Sequence, residues 1–239
     1  MKVTLLNFTP APEKTVVLAA KLCYSDSNIS QLEEKIKGVS YEKFLGKILN
    51  MGHLSVLEHA GFTFGIEGIS RATSHQLVRH RLASYSQQSQ RYVAFKEGLG
   101  FVTPPSLKKN SGIAKKFSDT AASLHNFYKE MIEAGIPAED ARYILPNAAT
   151  TRIIVTMNAR ELLHFFGLRA CERAQWEIRE MAKQMLSLVK KEAPFIFKKA
   201  GPGCVSTGKC TEGEMTCGRP DEIRKEFMSL GVNTKTVDE

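Results

Sequence analysis

The sequence predicts an α+β fold, a mainly antiparallel sheet beside a helical layer. Three observations lead there. Short apolar or β-branched segments at residues 2–8, 62–66 and 150–156 read as strands set among longer stretches of helical periodicity. No regular strand–helix alternation with a glycine-rich turn occurs. Gly-x-Gly-x-x-Gly and Gly-x4-Gly-Lys-Ser/Thr are both absent, so neither a doubly wound dinucleotide site nor a P-loop is indicated. Finally, 43% of the 239 residues are hydrophobic, enough for a real core, and no repeat or linker splits the chain.

Taken in order, Lys2–Phe8 alternates as a short strand that Pro10 and Pro12 break. Residues 13–24 place Val16, Val17, Ala20 and Leu22–Cys23 at helical spacing. Ser30 opens a second helix with Glu33 and Glu34 near its positive end, and Gly38 stops it. Residues 41–51 form a third helix with Phe44, Leu45, Ile48 and Leu49 on one face. Phe62, Phe64 and Ile66 alternate in a strand, and Ser70 caps a helix expected to run from Arg71 to Arg81. That span would put Gln76, Arg79 and His80 on one face. Residues 84–93 read as extended, 111–134 as a long amphipathic helix, and Pro137 starts a short one through Arg142. Residues 150–156 are a buried strand, and Asn158 caps a helix from about Ala159 to Phe166. Beyond Gly167 a further helix runs to about Lys191, with Arg169 and Arg173 spaced one turn apart. The domain is expected over residues 1–200. Residues 201–239 form a Cys- and Gly-rich C-terminal tail, expected to be loosely ordered apart from a helix near 222–230.

Lysines and arginines exceed acidic residues by 33 to 25, a net charge of +8, which favours anionic partners. No run approaches the roughly 18 apolar residues of a membrane span. The N-terminal apolar stretch is too short for a secretory signal, so a cytoplasmic location is expected. Cys23 and Cys171 lie in apolar surroundings and read as buried thiols. Cys204, Cys210 and Cys217 are spaced too widely for the tight knuckles of structural zinc. His53, Glu58 and His59 match neither His-Glu-x-x-His nor its inverse, so no metal is assigned.

The chemistry concentrates between Gly68 and Lys96, which contains no Asp or Glu but carries Arg71, Arg79, Arg81, Arg91 and Lys96 with His75 and His80. Ile69, Leu77, Val78 and Leu82 interleave with those charges, so the stretch is partly buried rather than a solvated face. Donors without carboxylates call for an external anion, and arginine forks with Ser and Gln beside them suit phosphate. A basic nucleic-acid-binding protein is the alternative, although no recognised nucleic-acid motif is present.

Arg79, His80, Arg81, Ser89 and Arg91 fill the pattern Arg-His-Arg, seven residues, Ser, one residue, Arg. The pattern resembles the signature of the flavin-dependent thymidylate synthases. The resemblance extends over residues 1–200 through the block from His53 to His59, Leu145-Pro146, Asn158-Ala159-Arg160, Leu168-Arg169-Ala170 and Ala174–Glu177. It implies that family's α+β fold in a homotetramer whose active sites are shared between subunits. The implied reaction is reductive methylation of dUMP to dTMP, with methylenetetrahydrofolate giving the carbon, NADPH the electrons and FAD mediating both transfers. By position, FAD contacts would be Ser55, Arg79, His80, Arg81, Gln87, Asn158, Ala159, Arg160 and His164. The dUMP contacts would be Gln76, Leu77, Val78 and Arg79, then Gln87, Gln88, Ser89, Gln90 and Arg91, with Arg142 and Arg169. Arg169 would be the catalytic residue, favouring the N3-ionised uracil electrostatically, because arginine is too basic to act readily as a general base. His164, Arg173 and Gln87 depart from residues that some members carry.

Overall fold

A computed structural model describes residues 1–95 and 98–231 of the chain. Lys96 of the basic stretch lies outside the described residues. Four antiparallel strands form one sheet: β1 (Lys2–Phe8), β2 (Gly61–Ser70), β3 (Ala83–Gln87) and β4 (Thr150–Asn158), in the order β1-β2-β4-β3. The α+β expectation holds. The chain divides into two compact units, one of Met1–Lys2, Gly65–Arg79 and Tyr85–Ile154, the other of Val3–Phe64, His80–Ser84 and the chain from Val155 on.

The second unit holds α1 (Pro12–Leu22), α2 (Ile29–Ile36) and α3 (Tyr41–Asn50). The first of these starts on Pro12, whose missing N–H costs nothing at that position. Asn28 and Gln31 close a reciprocal capping box on α2, and Ser40 caps α3. The Glu13 carboxylate accepts from the Phe195 and Ile196 amides at 2.6 and 3.2 Å, tying α1 to the later chain. Phe62 stacks on Phe8 and meets Phe197 edge-on, while Phe166 meets the same Phe197 ring at 6.1 Å. Phe62, Phe166 and Phe197, with Leu45, Leu57 and Val155, are fully buried, while Phe8 is half-buried at the edge.

The first unit holds α4 (Arg71–Leu77), α5 (Ser111–Glu133) and the short α6 (Ala138–Ala141). Ser70 Oγ accepts from the Thr73 amide at 3.1 Å, as its cap position predicts. Here α4 is shorter than expected. It stops at Leu77, whose carbonyl accepts from the Tyr85 hydroxyl at 2.8 Å, where a continuing helix would supply an amide. Arg79 and His80 therefore do not share a helical face with Gln76. Extended backbone continues only to Gln87, and Gln90–Tyr92 form a turn. Tyr128 on α5 is fully buried, and its neighbour His125 meets the Phe95 carbonyl at 2.9 Å, anchoring the connection that precedes α5.

Three further expectations change. Strand β4 alternates inward Thr151, Ile153, Val155 and Met157 with outward Arg152, Ile154 and Thr156, so it is half-buried rather than enclosed. Helix α7 (Ala159–Arg169) continues through Gly167, because buried Leu162, Phe165 and Phe166 outweigh the ~1 kcal/mol that glycine costs in a helix. The next helix, α8 (Trp176–Glu192), starts anew with Gln175 capping the Glu177 and Ile178 amides. Arg169 and Arg173 thus do not share one helix. Cys23 is exposed and Cys171 half-buried, while Cys204 is the buried thiol. The tail carries α9 (Gly203–Ser206) and α10 (Pro220–Ser229), with Ile223 and Phe227 buried, so it packs more than its composition suggested. Among the described residues no helix is long and apolar enough to cross a membrane.

Candidate active site

In the second unit the signature histidine turns inward. His80 and Glu161 are each 5% exposed, and His80 Nδ1 lies 3.1 Å from Glu161 Oε1. On the other side of the ring, Arg169 Nε donates to His80 Nε2 at 3.1 Å. An arginine N–H can only donate, so Nε2 must be the unprotonated nitrogen. The ring proton then sits on Nδ1 and donates to Glu161. The three side chains form one directional chain, carboxylate to neutral imidazole to guanidinium. Burial pulls the His80 pKa below its usual value of 6.5; the Glu161 hydrogen bond works the other way, and Arg169 reinforces burial. Phe165 and His164 flank the imidazole edge-on, at 4.9 and 5.8 Å between ring centres.

The start of α7 places the other members of this group. Asn158 Oδ1 caps the Glu161 amide at 2.9 Å, and the Ala159 amide donates to the Ala60 carbonyl at 2.8 Å. Arg160 reaches Glu58 at 2.6 Å. Ser55 is exposed at the start of a 3-10 turn over Ser55–His59, and Arg81 is exposed after His80. A cavity of about 1490 Å³ opens in this unit, lined by Leu54, Leu82, Arg160, Glu161, Leu163, His164, Phe195 and Ile196, with Lys43, Lys47, Lys199 and the Lys198–Glu42 ion pair around it. Apolar walls with convergent cations suit a ring system that carries a diphosphate.

The first unit gathers the remaining predicted residues. Gln87 donates to Ser74 Oγ at 2.9 Å and to Thr151 Oγ1 at 3.2 Å, which fixes the strand end from which Gln88, Ser89, Gln90 and Arg91 follow. The Gln88 amide donates to the Arg152 carbonyl at 2.9 Å. Ser89 Oγ accepts from the Arg91 amide at 3.1 Å and shapes the turn. The Arg91 guanidinium is paired with Glu139, both half-exposed, and Arg142 Nε donates to the Glu139 carbonyl. Leu77 is fully buried, so its side chain belongs to the core, whereas Val78 and Arg79 are exposed and Gln76 is half-buried.

Besides Glu161, Arg71 escaped the site assignment. Arg71 is half-buried, and burial together with the Arg142 charge pulls its pKa below the usual arginine value. Two guanidiniums within electrostatic reach of each other repel, and an anion between them would relieve that repulsion. The absence of carboxylates from Gly68 to Lys96 was the available signal, but Arg142 enters from a distant part of the chain.

Comparison with known proteins fits this arrangement. The model of the family described as Thymidylate synthase complementing protein matches residues 4–195. The chain belongs to the flavin-dependent thymidylate synthase family. It is 57% identical to the flavin-dependent thymidylate synthase of Geobacter sulfurreducens, over 97% of this chain and 100% of that protein. Its identity to the proteins of the same name from Clostridium tetani and Pyrococcus abyssi is 46% and 49%, over 95% and 96% of this chain and 97% and 98% of theirs. Membership makes the chain an enzyme of thymidylate synthesis that uses a flavin, and nothing favours the nucleic-acid-binding alternative.

Proposed function

We propose that this chain converts dUMP to dTMP, with methylenetetrahydrofolate as carbon donor, NADPH as reductant and FAD as cofactor. The observation that carries the residue assignment is the Glu161–His80–Arg169 chain. Arg169 is the catalytic residue. Its Nε is committed to His80, which fixes the guanidinium plane and so the direction of its Nη fork. A fixed cation beside the uracil favours the N3-ionised form and raises the nucleophilicity of C5 without itself moving a proton. His80 serves as a neutral acceptor held by Glu161, a positioning residue for Arg169.

When bound, FAD supplies the redox and carbon relay between NADPH, folate and nucleotide. Ser55, Arg81, Asn158, Ala159, Arg160 and His164, with Arg79 and Gln87, hold it; Arg160 and His164 line the apolar, cation-bearing cavity of the second unit, which supports their part in this reading, and family likeness supports the others. The dUMP phosphate is bound by Arg91 and Arg142, with Arg71 added to that set. Gln76, Leu77, Val78 and Arg79 and the run from Gln87 to Gln90 complete the nucleotide contacts, Leu77 through its backbone. Ser89 contributes hydrogen bonds rather than a nucleophilic oxygen. The enzyme works as a cytoplasmic homotetramer with sites shared between subunits, and residues 1–200 form the catalytic domain; family likeness supports these assignments.

The test is Arg169→Ala. The reading expects an intact fold by circular dichroism, retained flavin absorption and no dTMP formation. An active, folded Arg169→Ala protein overturns the assignment.

A further inference from the structure

Cys204, Cys210 and Cys217 of the C-terminal segment and the distant Cys171 come within electrostatic reach of one another in the second unit. Cys204 follows Gly203, and Cys210 precedes Thr211. A β-carbon at Gly203 would stand 2.5 Å from Thr211 Cγ2 and 3.1 Å from the Lys209 carbonyl, so the chain folds tightly back and sets Cys204 and Cys210 on the two arms of one loop. Arg219 pairs with Glu172 at 3.0 Å, which brings the segment of Cys217 to that of Cys171. Arg224 on α10 ties the two arms together, donating to the Cys204 carbonyl at 2.8 Å and to the Gly208 carbonyl. Cys204 lies within electrostatic reach of Cys171, Cys210 and Cys217 together. Cys171 in turn feels Cys210 and Cys217. The fifth cysteine, Cys23, is an exposed thiol near the end of α1.

The segment has almost no core of its own. From Ser206 to Pro220 no described residue is buried, and Met215 is 56% exposed. Apolar burial therefore does not account for its defined turns. Arg224 holds the loop by polar contacts, and a structural metal can add the cross-link that apolar burial does not supply here. All four thiols are free.

We propose that Cys171, Cys204, Cys210 and Cys217 bind one zinc ion as a tetrathiolate that fastens the C-terminal segment to the turn between α7 and α8. Zinc binding displaces a proton from each thiol and forms four zinc–sulfur bonds, with no change of redox state. Among the described residues no three potential ligands already stand in metal-binding geometry. The site therefore closes on its ion, which the coreless loop from Ser206 to Pro220 permits. The sequence spacing hid it because the fourth ligand, Cys171, lies 33 residues before Cys204. The ion has no part in the proposed reaction, since its ligands lie outside the flavin and nucleotide sets.

The test uses the full chain, purified under reducing conditions with zinc in the medium and dialysed against a metal-free buffer. Elemental analysis should find one zinc per chain, lost in Cys210→Ser and Cys217→Ser and unchanged in Cys23→Ser. Cobalt substituted for zinc should show sulfur-to-metal charge-transfer bands and the visible bands of tetrahedral coordination. This readout does not depend on whether the variants fold. A zinc-free wild-type chain that takes up cobalt without those bands overturns the proposal. So do disulfides among these cysteines, or zinc that survives both substitutions.

Discussion

Glu161→Ala is the most informative single change. It removes the acceptor 3.1 Å from His80 Nδ1 in a place where both partners are about 5% exposed. A buried hydrogen bond to a carboxylate contributes about 1.5–3 kcal/mol. At roughly 2–4 °C per kcal/mol for a chain of this size, the melting temperature should fall by about 3–12 °C. The consequence for activity is separate. Without Glu161, the carboxylate that selects the Nδ1-protonated tautomer is gone. The alternative tautomer would present Nε2–H to Arg169 Nε–H, donor against donor. Arg169 then loses its fixed direction, and a misplacement of about 1 Å costs on the order of 100-fold in turnover. Glu161→Gln keeps an acceptor oxygen, so it should lose stability but retain most of the turnover. The assays are dTMP formation by chromatography and thermal unfolding of the same preparations. A Glu161→Ala enzyme within twofold of wild-type turnover, or a Glu161→Gln enzyme as impaired as the alanine variant, refutes the positioning role.

Three other outcomes follow. Because burial depresses the folded-state pKa of His80, the unfolded chain binds its proton more readily. The stability due to His80 is therefore present above about pH 6.5 and lost as pH falls through and below that value, so urea unfolding between pH 7.5 and 5 should show a smaller slope in His80→Asn. Glu139 competes with phosphate for Arg91; an exposed pair contributes about 0.2–1 kcal/mol, so Glu139→Ala should tighten dUMP binding by ~1.4- to 5-fold in calorimetry, and weakened binding would sink the idea. Arg71→Met should weaken dUMP binding by about 10- to 100-fold, the effect of losing a hydrogen bond to a charged group, whereas an unchanged affinity would remove Arg71 from the phosphate set.

Much of the architecture was legible because it depends on local patterns. Alternation marked β2, and the caps Ser70 and Asn158 stand where side-chain oxygens can meet unpaired helical amides. What could not be read locally was decided by distant partners. The early end of α4 depends on the Tyr85 hydroxyl, and passage of α7 through Gly167 depends on the buried phenylalanines around it. Among the site residues, the arginines announced themselves by the missing carboxylates around them. Glu161 did not, because an acid two residues into a helix looks like an ordinary first-turn charge until the fold sets it against His80. Arg71 and Arg142 lie 71 residues apart, so no spacing rule joins them.

The central claim is that this chain makes dTMP through a flavin. The direct measurement is dTMP formed from dUMP, methylenetetrahydrofolate and NADPH by enzyme stripped of flavin and then reconstituted with FAD. The account predicts no product from the stripped enzyme, full recovery with FAD, and bleaching of the oxidised flavin bands by NADPH. Product formed without flavin, or a chain that neither takes up FAD nor converts dUMP, would contradict it.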